Sequence, residues 1–170
     1  MAEEIVNKVA ARGLITLDLE DYYPKGQRSV IDLKHQLWQE LALREKDFRA
    51  FVKEEDWSAY QDHFVAVHCS ADAIVPTWAY MLVTTALVPY AKKVVYGDLE
   101  DLESSLYQEA LEAINGEDYL QQRVVVKGCG NLPVPHFAYV ELTRKLQPYV
   151  RTLMYGEPCS MVPLFKRARQ

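Results

Sequence analysis

Cysteine is scarce in this chain: three in 170 residues. An odd, sparse set is no disulfide framework, so the fold must rest on a hydrophobic core. Concentrated positive charge is nearly missing too. The net charge is −5, and the basic stretch Lys166-Arg167-Ala168-Arg169 reads as a solvated tail. Sequence-independent binding of nucleic acid needs many phosphate-neutralising cations, so no nucleic-acid partner is expected. Long apolar runs are lacking as well. Residues 73–91 carry no charge, but Pro76 and Pro89 cut the segment short of the roughly 20 residues that a bilayer crossing needs. It reads instead as a central, buried helix. Met1-Ala2-Glu3-Glu4 is acidic and leads into no apolar signal region. A cytoplasmic protein without membrane attachment is expected. Glycine is sparse, and Gly128-Cys129-Gly130 lacks the third glycine of a dinucleotide fingerprint, since Pro133 stands there. No Walker lysine motif occurs.

What the chain does have is a repeat. An offset of 59 positions aligns Val65–Gly97 with Val124–Gly156 without a gap. Val75, Pro76, Ala79, Tyr80, Thr84, Leu87 and Pro89 meet Val134, Pro135, Ala138, Tyr139, Thr143, Leu146 and Pro148. Each copy reads as strand, helix, strand. Phe64–Val67 and Arg123–Val126 are short β-branched runs of the kind buried on both faces. Pro76 and Pro135 open helix-length segments, and Pro89 and Pro148 close them. Residues 93–96 and 152–155 are the second strands, ended by Gly97 and Gly156, where a φ that glycine takes cheaply is expected. The size suits a βαβ crossover.

Outside the repeat, residues 14–19 and 29–34 read as the arms of an N-terminal β-hairpin around Tyr22–Gly26. Trp38–Glu55 reads as an amphipathic helix with Leu41, Phe48, Phe51 and Val52 on its stripe. Asp98–Ile114 reads as a helix capped by Asp98, with Leu99, Leu102, Leu106, Ala110 and Ala113 inward. The expected fold is thus α/β: one domain over residues 1–170, a mainly parallel sheet with helical crossovers, and an internal βαβ duplication at 64–97 and 123–156.

Each cysteine follows a predicted strand end: Cys69, Cys129 and Cys159. Parallel strands of one sheet would bring all three to one carboxyl edge, where open α/β sheets bind ligands. Thiolate and imidazole suit zinc or iron, so Cys69, Cys129, Cys159, His68 and His136 form a candidate metal set. No Cys-x-x-Cys pair accompanies them. A second reading is thiol catalysis, with Cys129 as nucleophile between two glycines and His136 as its base. A third is a non-catalytic interaction protein with core cysteines and exposed aromatics such as Trp57 or Tyr60. A homo-oligomer is compatible with each, and the residues do not identify a particular protein partner.

The runs Cys69–Tyr80 and Tyr155–Pro163 resemble a bacterial family of conserved proteins without established activity. That resemblance implies a cytoplasmic bacterial protein and transfers no functional residues.

Overall fold

The computed structural model describes residues 9–10, 13–128, 130–157 and 159–168. In chain order come β1 (Val9–Ala10), β2 (Leu14–Asp18), β3 (Arg28–Asp32), β4 (Leu37–Trp38), β5 (Ala42–Leu43), α1 (Glu45–Glu54), β6 (Phe64–His68) and α2 (Thr77–Leu87). Then follow β7 (Lys93–Tyr96), α3 (Leu99–Glu112), β8 (Arg123–Lys127), α4 (His136–Leu146), β9 (Thr152–Glu157) and β10 (Ser160–Lys166). The fold is mixed α/β with mostly parallel sheets.

The chain divides into two compact units. One, the inserted unit, is residues 25–105. The other, the flanking unit, is made by the chain up to Pro24 and from Leu106 onward. The boundary falls inside α3.

The inserted unit holds a three-stranded sheet, β3-β6-β7, parallel throughout. Phe64, Val65, Ala66 and Val67 of β6 are all buried, as a central parallel strand demands. From α2, Ala79, Val83 and Leu87 pack on Ile31, Val65, Val67 and Phe48. Their spacing of four residues is one helix face. Each such valine or leucine contributes about 1.5–3 kcal/mol by leaving water.

The flanking unit holds a five-stranded sheet, β1-β2-β8-β9-β10, whose centre β2-β8-β9 is parallel and whose edges are antiparallel. Here α4 buries Ala138, Leu142 and Leu146 against Leu17, Val124 and Val126. Tyr107 is fully buried, and its hydroxyl donates to the Leu19 carbonyl at 3.1 Å.

The two units use the same backbone contacts at the 59-residue offset. Asp62 and Gln121 have positive φ, and their N–H groups donate to the carbonyls of Tyr90 and Tyr149, both at 2.9 Å. Lys92 N–H donates to His63 O and Arg151 N–H to Gln122 O, both at 2.8 Å. Gly97 and Gly156 have φ of 131° and 118°, which an L side chain rarely adopts.

Several expectations need correction. Among the described residues the parallel strands divide between two sheets rather than one, because β2 joins β8 while β3 joins β6, and β4 pairs with β5 in a separate two-stranded sheet. The expected hairpin arms 14–19 and 29–34 therefore do not pair with each other; the N-terminal antiparallel pair is β1 with β2. The helix expected from Trp38 begins only at Glu45. Gln39 and Glu40, with φ of 51° and 59°, turn the chain between β4 and β5, and Leu41 lies exposed there. The uncharged helix α2 is buried on one face only, with Met81 exposed on the other and Val88 exposed just past its end. In α3 the inward residues are Leu102, Leu106, Tyr107 and Leu111, whereas Leu99 is exposed. Asp98 does cap α3, accepting from the N–H groups of Glu100 at 2.8 Å and Asp101 at 3.0 Å.

Candidate functional site

With two sheets there are two carboxyl edges. Cys69 follows β6 of the inserted unit, and Cys159 follows β9 of the flanking unit, so the expected single edge for the three cysteines does not exist. Cys129 lies outside the described residues. Cys69 is half-buried, its Sγ 3.7 Å from the Ala71 carbonyl, and Cys159 is exposed between β9 and β10. Among the described residues, no three His, Cys, Asp or Glu side chains gather as a metal-holding group.

At the inserted unit's edge the centre is Asp32, the last residue of β3. Its carboxylate accepts from Lys34 N–H at 3.0 Å, Ser70 N–H at 3.0 Å and the Ser70 hydroxyl at 2.6 Å. His68, its register partner on β6, places Nε2 3.9 Å away. Burial opposes the charge on Asp32. The Ser70 and Lys34 hydrogen bonds and the His68 ring outweigh it and hold the carboxyl well below the usual range. Asp98 is also held low, by the N–H groups of Asp101 and Glu100 and by His68. Burial raises the Tyr80 phenol, with Tyr96, Cys69 and Asp32 adding to it.

The flanking unit builds the counterpart from different residues. Asp18 ends β2 and accepts from Glu20 N–H at 3.0 Å. Its register partner Lys127 places Nζ 2.9 Å from Asp18 and 3.9 Å from Glu157. The hydrogen bond to Asp18 is the main cause that pushes the Lys127 ammonium up.

Beside this edge opens a pocket of about 620 Å³. Gly128 and Gly130 line it at the end of β8, Leu132 and Val134 in the loop, and His136, Tyr139 and Val140 from α4. Tyr155 of β9 and Leu164 of β10 complete it. The walls are largely apolar. Tyr139 donates its hydroxyl to Gly128 O at 2.8 Å, and its ring meets Tyr155 edge-on at 5.8 Å. A Cβ at Gly128 would come within 2.7 Å of that hydroxyl oxygen, and one at Gly130 would collide with the Glu20 carboxylate. Gly128 is thus favoured by close approach, whereas at Gly130 the Glu20 side chain would have to move aside.

Of the expected site residues, His136 lines this pocket and His68 belongs to the Asp32 cluster. Trp57, expected exposed, is buried, with its indole N–H donating to Val52 O at 2.7 Å; Tyr60 is half-buried against its ring. Sequence reasoning missed Asp18, Asp32 and Lys127. Their signal was the shared pattern of an apolar residue, Asp and Leu in Leu17–Leu19 and Ile31–Leu33.

Fold and edges together define a mixed α/β protein of two mostly parallel-sheet units, each with an aspartate at its carboxyl edge, beside His68 in one and Lys127 in the other. The chain belongs to the family described as protein of unknown function DUF2480, whose model matches residues 3–167. No curated protein and no solved structure matches it.

Proposed function

We propose that the flanking unit binds a small, largely apolar organic molecule in the pocket beside β8. The observation that carries this reading is the pocket itself: about 620 Å³, at the carboxyl end of parallel strands, with two glycines opening its collar. That volume suits a small-molecule site, and that end of a parallel sheet is where such sites occur. The walls supply apolar contact through Leu132, Val140 and Leu164, while His136 supplies a polar handle.

A second reading is thiol chemistry. Cys129 stands in the chain between two lining glycines, and His136 lines the same pocket. A histidine beside a cysteine nucleophile is a known activating arrangement. Nothing in either reading needs zinc or iron.

The test is a titration of ¹⁵N-labelled protein with neutral aromatic fragments, indole and phenol. Saturable shifts at the amides of Gly130, Val140 and Tyr155, abolished in Val140→Trp, are expected. Absence of saturable shifts there would sink the binding reading. Iodoacetamide labelling of the same sample addresses the second: Cys129 modified at least tenfold faster than Cys69, and slowed by His136→Gln, supports thiol chemistry. Equal rates oppose it.

A further inference from the structure

The chain is acidic, yet one concavity of the flanking unit is strongly basic. A pocket of about 420 Å³ is lined by Arg123, Arg151, Lys166 and Arg167. Among the described residues, none that lines it is a carboxylate. It lies at the end of the sheet where β8 and β9 begin and β10 finishes, the opposite end from the apolar pocket.

The register explains how the cations gather. Thr152 is the β9 partner of both Arg123 on β8 and Lys166 on β10. Directly opposite residues on neighbouring strands present their side chains on the same face. Two cations therefore flank one threonine across three strands. The buried hydroxyl of that threonine has no hydrogen-bond partner among the described residues. A buried polar group that the protein leaves over is uncommon and calls for an explanation. Arg167 is held in place from below. Its guanidinium donates to Pro148 O at 2.6 Å, Val150 O at 3.2 Å and Gln147 O at 3.2 Å. Its backbone N–H donates to Arg151 O at 2.9 Å, which links the two arginines. Phe165 and Met154 add apolar wall.

The scaffold does not demand this charge. At the 59-residue offset, Phe64 stands for Arg123 and Lys93 for Thr152. Phe64 is buried, and Lys93 spends its ammonium on Ser105 O at 3.2 Å. The same strand start is thus filled by packing in one unit and left open and cationic in the other. Like charges in one concavity repel, and a concave wall concentrates their field. An anion relieves that repulsion, and guanidinium groups favour the oxygens of phosphate.

We propose that this basic pocket binds the phosphate of a small phosphomonoester whose apolar body lies against Phe165 and Met154. This site is separate from the apolar pocket, and either stands without the other. It also gives Lys166 and Arg167 a role that a solvated tail would not have.

The experiment is calorimetric titration of the full chain with phenyl phosphate, with inorganic phosphate, benzoate and phenol as comparisons. Saturable binding of phenyl phosphate is expected, at least tenfold tighter than inorganic phosphate or benzoate, and the heat from phenol, a probe of the apolar pocket, should be unchanged by substitutions in the basic one. Arg123→Glu with Arg151→Glu should weaken it at least tenfold. Both residues are exposed, so the variant should fold; should it not, Arg123→Gln alone is expected to weaken binding about threefold. Lys46→Glu with Lys53→Glu on α1, which changes the net charge equally, should leave affinity within twofold. No saturable binding, or equal weakening in that control, would overturn the proposal. So would tighter binding to single-stranded DNA or to vesicles containing phosphatidic acid, since each indicates a macromolecular anion.

Discussion

The two units put the same aspartate at the end of the same strand and surround it differently. Asp32 has Ser70, Lys34 and His68, and its acceptor atoms are saturated by short polar contacts. Asp18 has one backbone donor and a lysine. The exits differ as well. After Gly97 the chain meets Asp98, which caps α3; after Gly156 it meets Glu157, and the β-branched and apolar run that follows forms β10. One left-handed glycine thus leads to a helix or a strand according to whether a short capping carboxylate follows it. The strand β10 supplies Leu164 to the apolar pocket and Lys166 to the basic one. The lesson is that the repeated core fixes where an edge lies, while the element after the glycine decides what is built on it.

The largest test of this contrast breaks what the inserted unit has and the flanking unit lacks. Arg28 on β3 pairs with Glu103 at 2.7 Å, with only 12% and 9% of the two side chains exposed. Arg28 also donates to Gly26 O at 2.7 Å and lies 5.2 Å from the Phe64 ring. At its place in β2 stands Leu14. Glu103→Ala leaves a nearly buried guanidinium without its carboxylate and should cost about 3–5 kcal/mol in urea unfolding. Arg28→Leu with Glu103→Leu should recover at least half of that, because an apolar pair replaces the desolvated charges. A double variant no better than Glu103→Ala would mean that the ion pair itself is required.

Next in size are the aspartates. Asp32→Ala removes the acceptor of the Lys34 and Ser70 N–H groups and the charged partner of the Ser70 hydroxyl, and should cost about 2 kcal/mol at pH 7. Asp18→Ala should cost about 1 kcal/mol. The pH dependence has a definite sign. Asp32 has a depressed folded pKa, so its stabilisation is fully present above the unfolded value near 3.9 and is lost as pH falls through the folded one. The gap between wild type and Asp32→Ala should therefore be flat from pH 7 to pH 5 and narrow below about pH 4. A gap that stays constant down to pH 2 would contradict the assignment.

How much of this could be read from the chain follows from what is local. The repeated helices were legible, since Ala79, Val83 and Leu87 and their counterparts carry their own periodicity and bracketing prolines. The two sheets were not. β2 and β3 are short apolar runs separated by turn-like residues, which locally resembles a hairpin, and their real partners lie far along the chain. For the same reason the shared pattern around Asp18 and Asp32 does not by itself place them at an edge beside a partner. Each acquires its role from a cross-strand partner, Lys127 or His68, that only the parallel register supplies. His136, which lines the apolar pocket, starts a helix after a glycine-flanked cysteine, a pattern that is local in the chain. Lys166 and Arg167 read locally as a tail, because only the pairing of β10 with β9, which brings Lys166 opposite Thr152, joins them to Arg123 and Arg151.

The smallest effect is the sharpest test of equivalence between the edges. His68 and Lys127 occupy the same offset position, each beside its aspartate, at 3.9 Å and 2.9 Å. If the two sites are variants of one design, exchanging the two side chains should be tolerated. Lys127→His should cost about 0.5–1 kcal/mol, the worth of a partly exposed ion pair, because the shorter ring cannot reach both Asp18 and Glu157. His68→Lys should be neutral within about 0.5 kcal/mol, since Ser70 and Lys34 already hold Asp32. The Lys127 ammonium has a raised folded pKa, so its contribution is present below the unfolded value near 10.4 and lost as pH rises through the folded one. The deficit of Lys127→His should accordingly stay constant up to about pH 10 and close above it. A deficit that persists at pH 12 would assign the lysine's role to the packing of its stem rather than to its charge, and the two edges would then share a backbone but no common electrostatic plan.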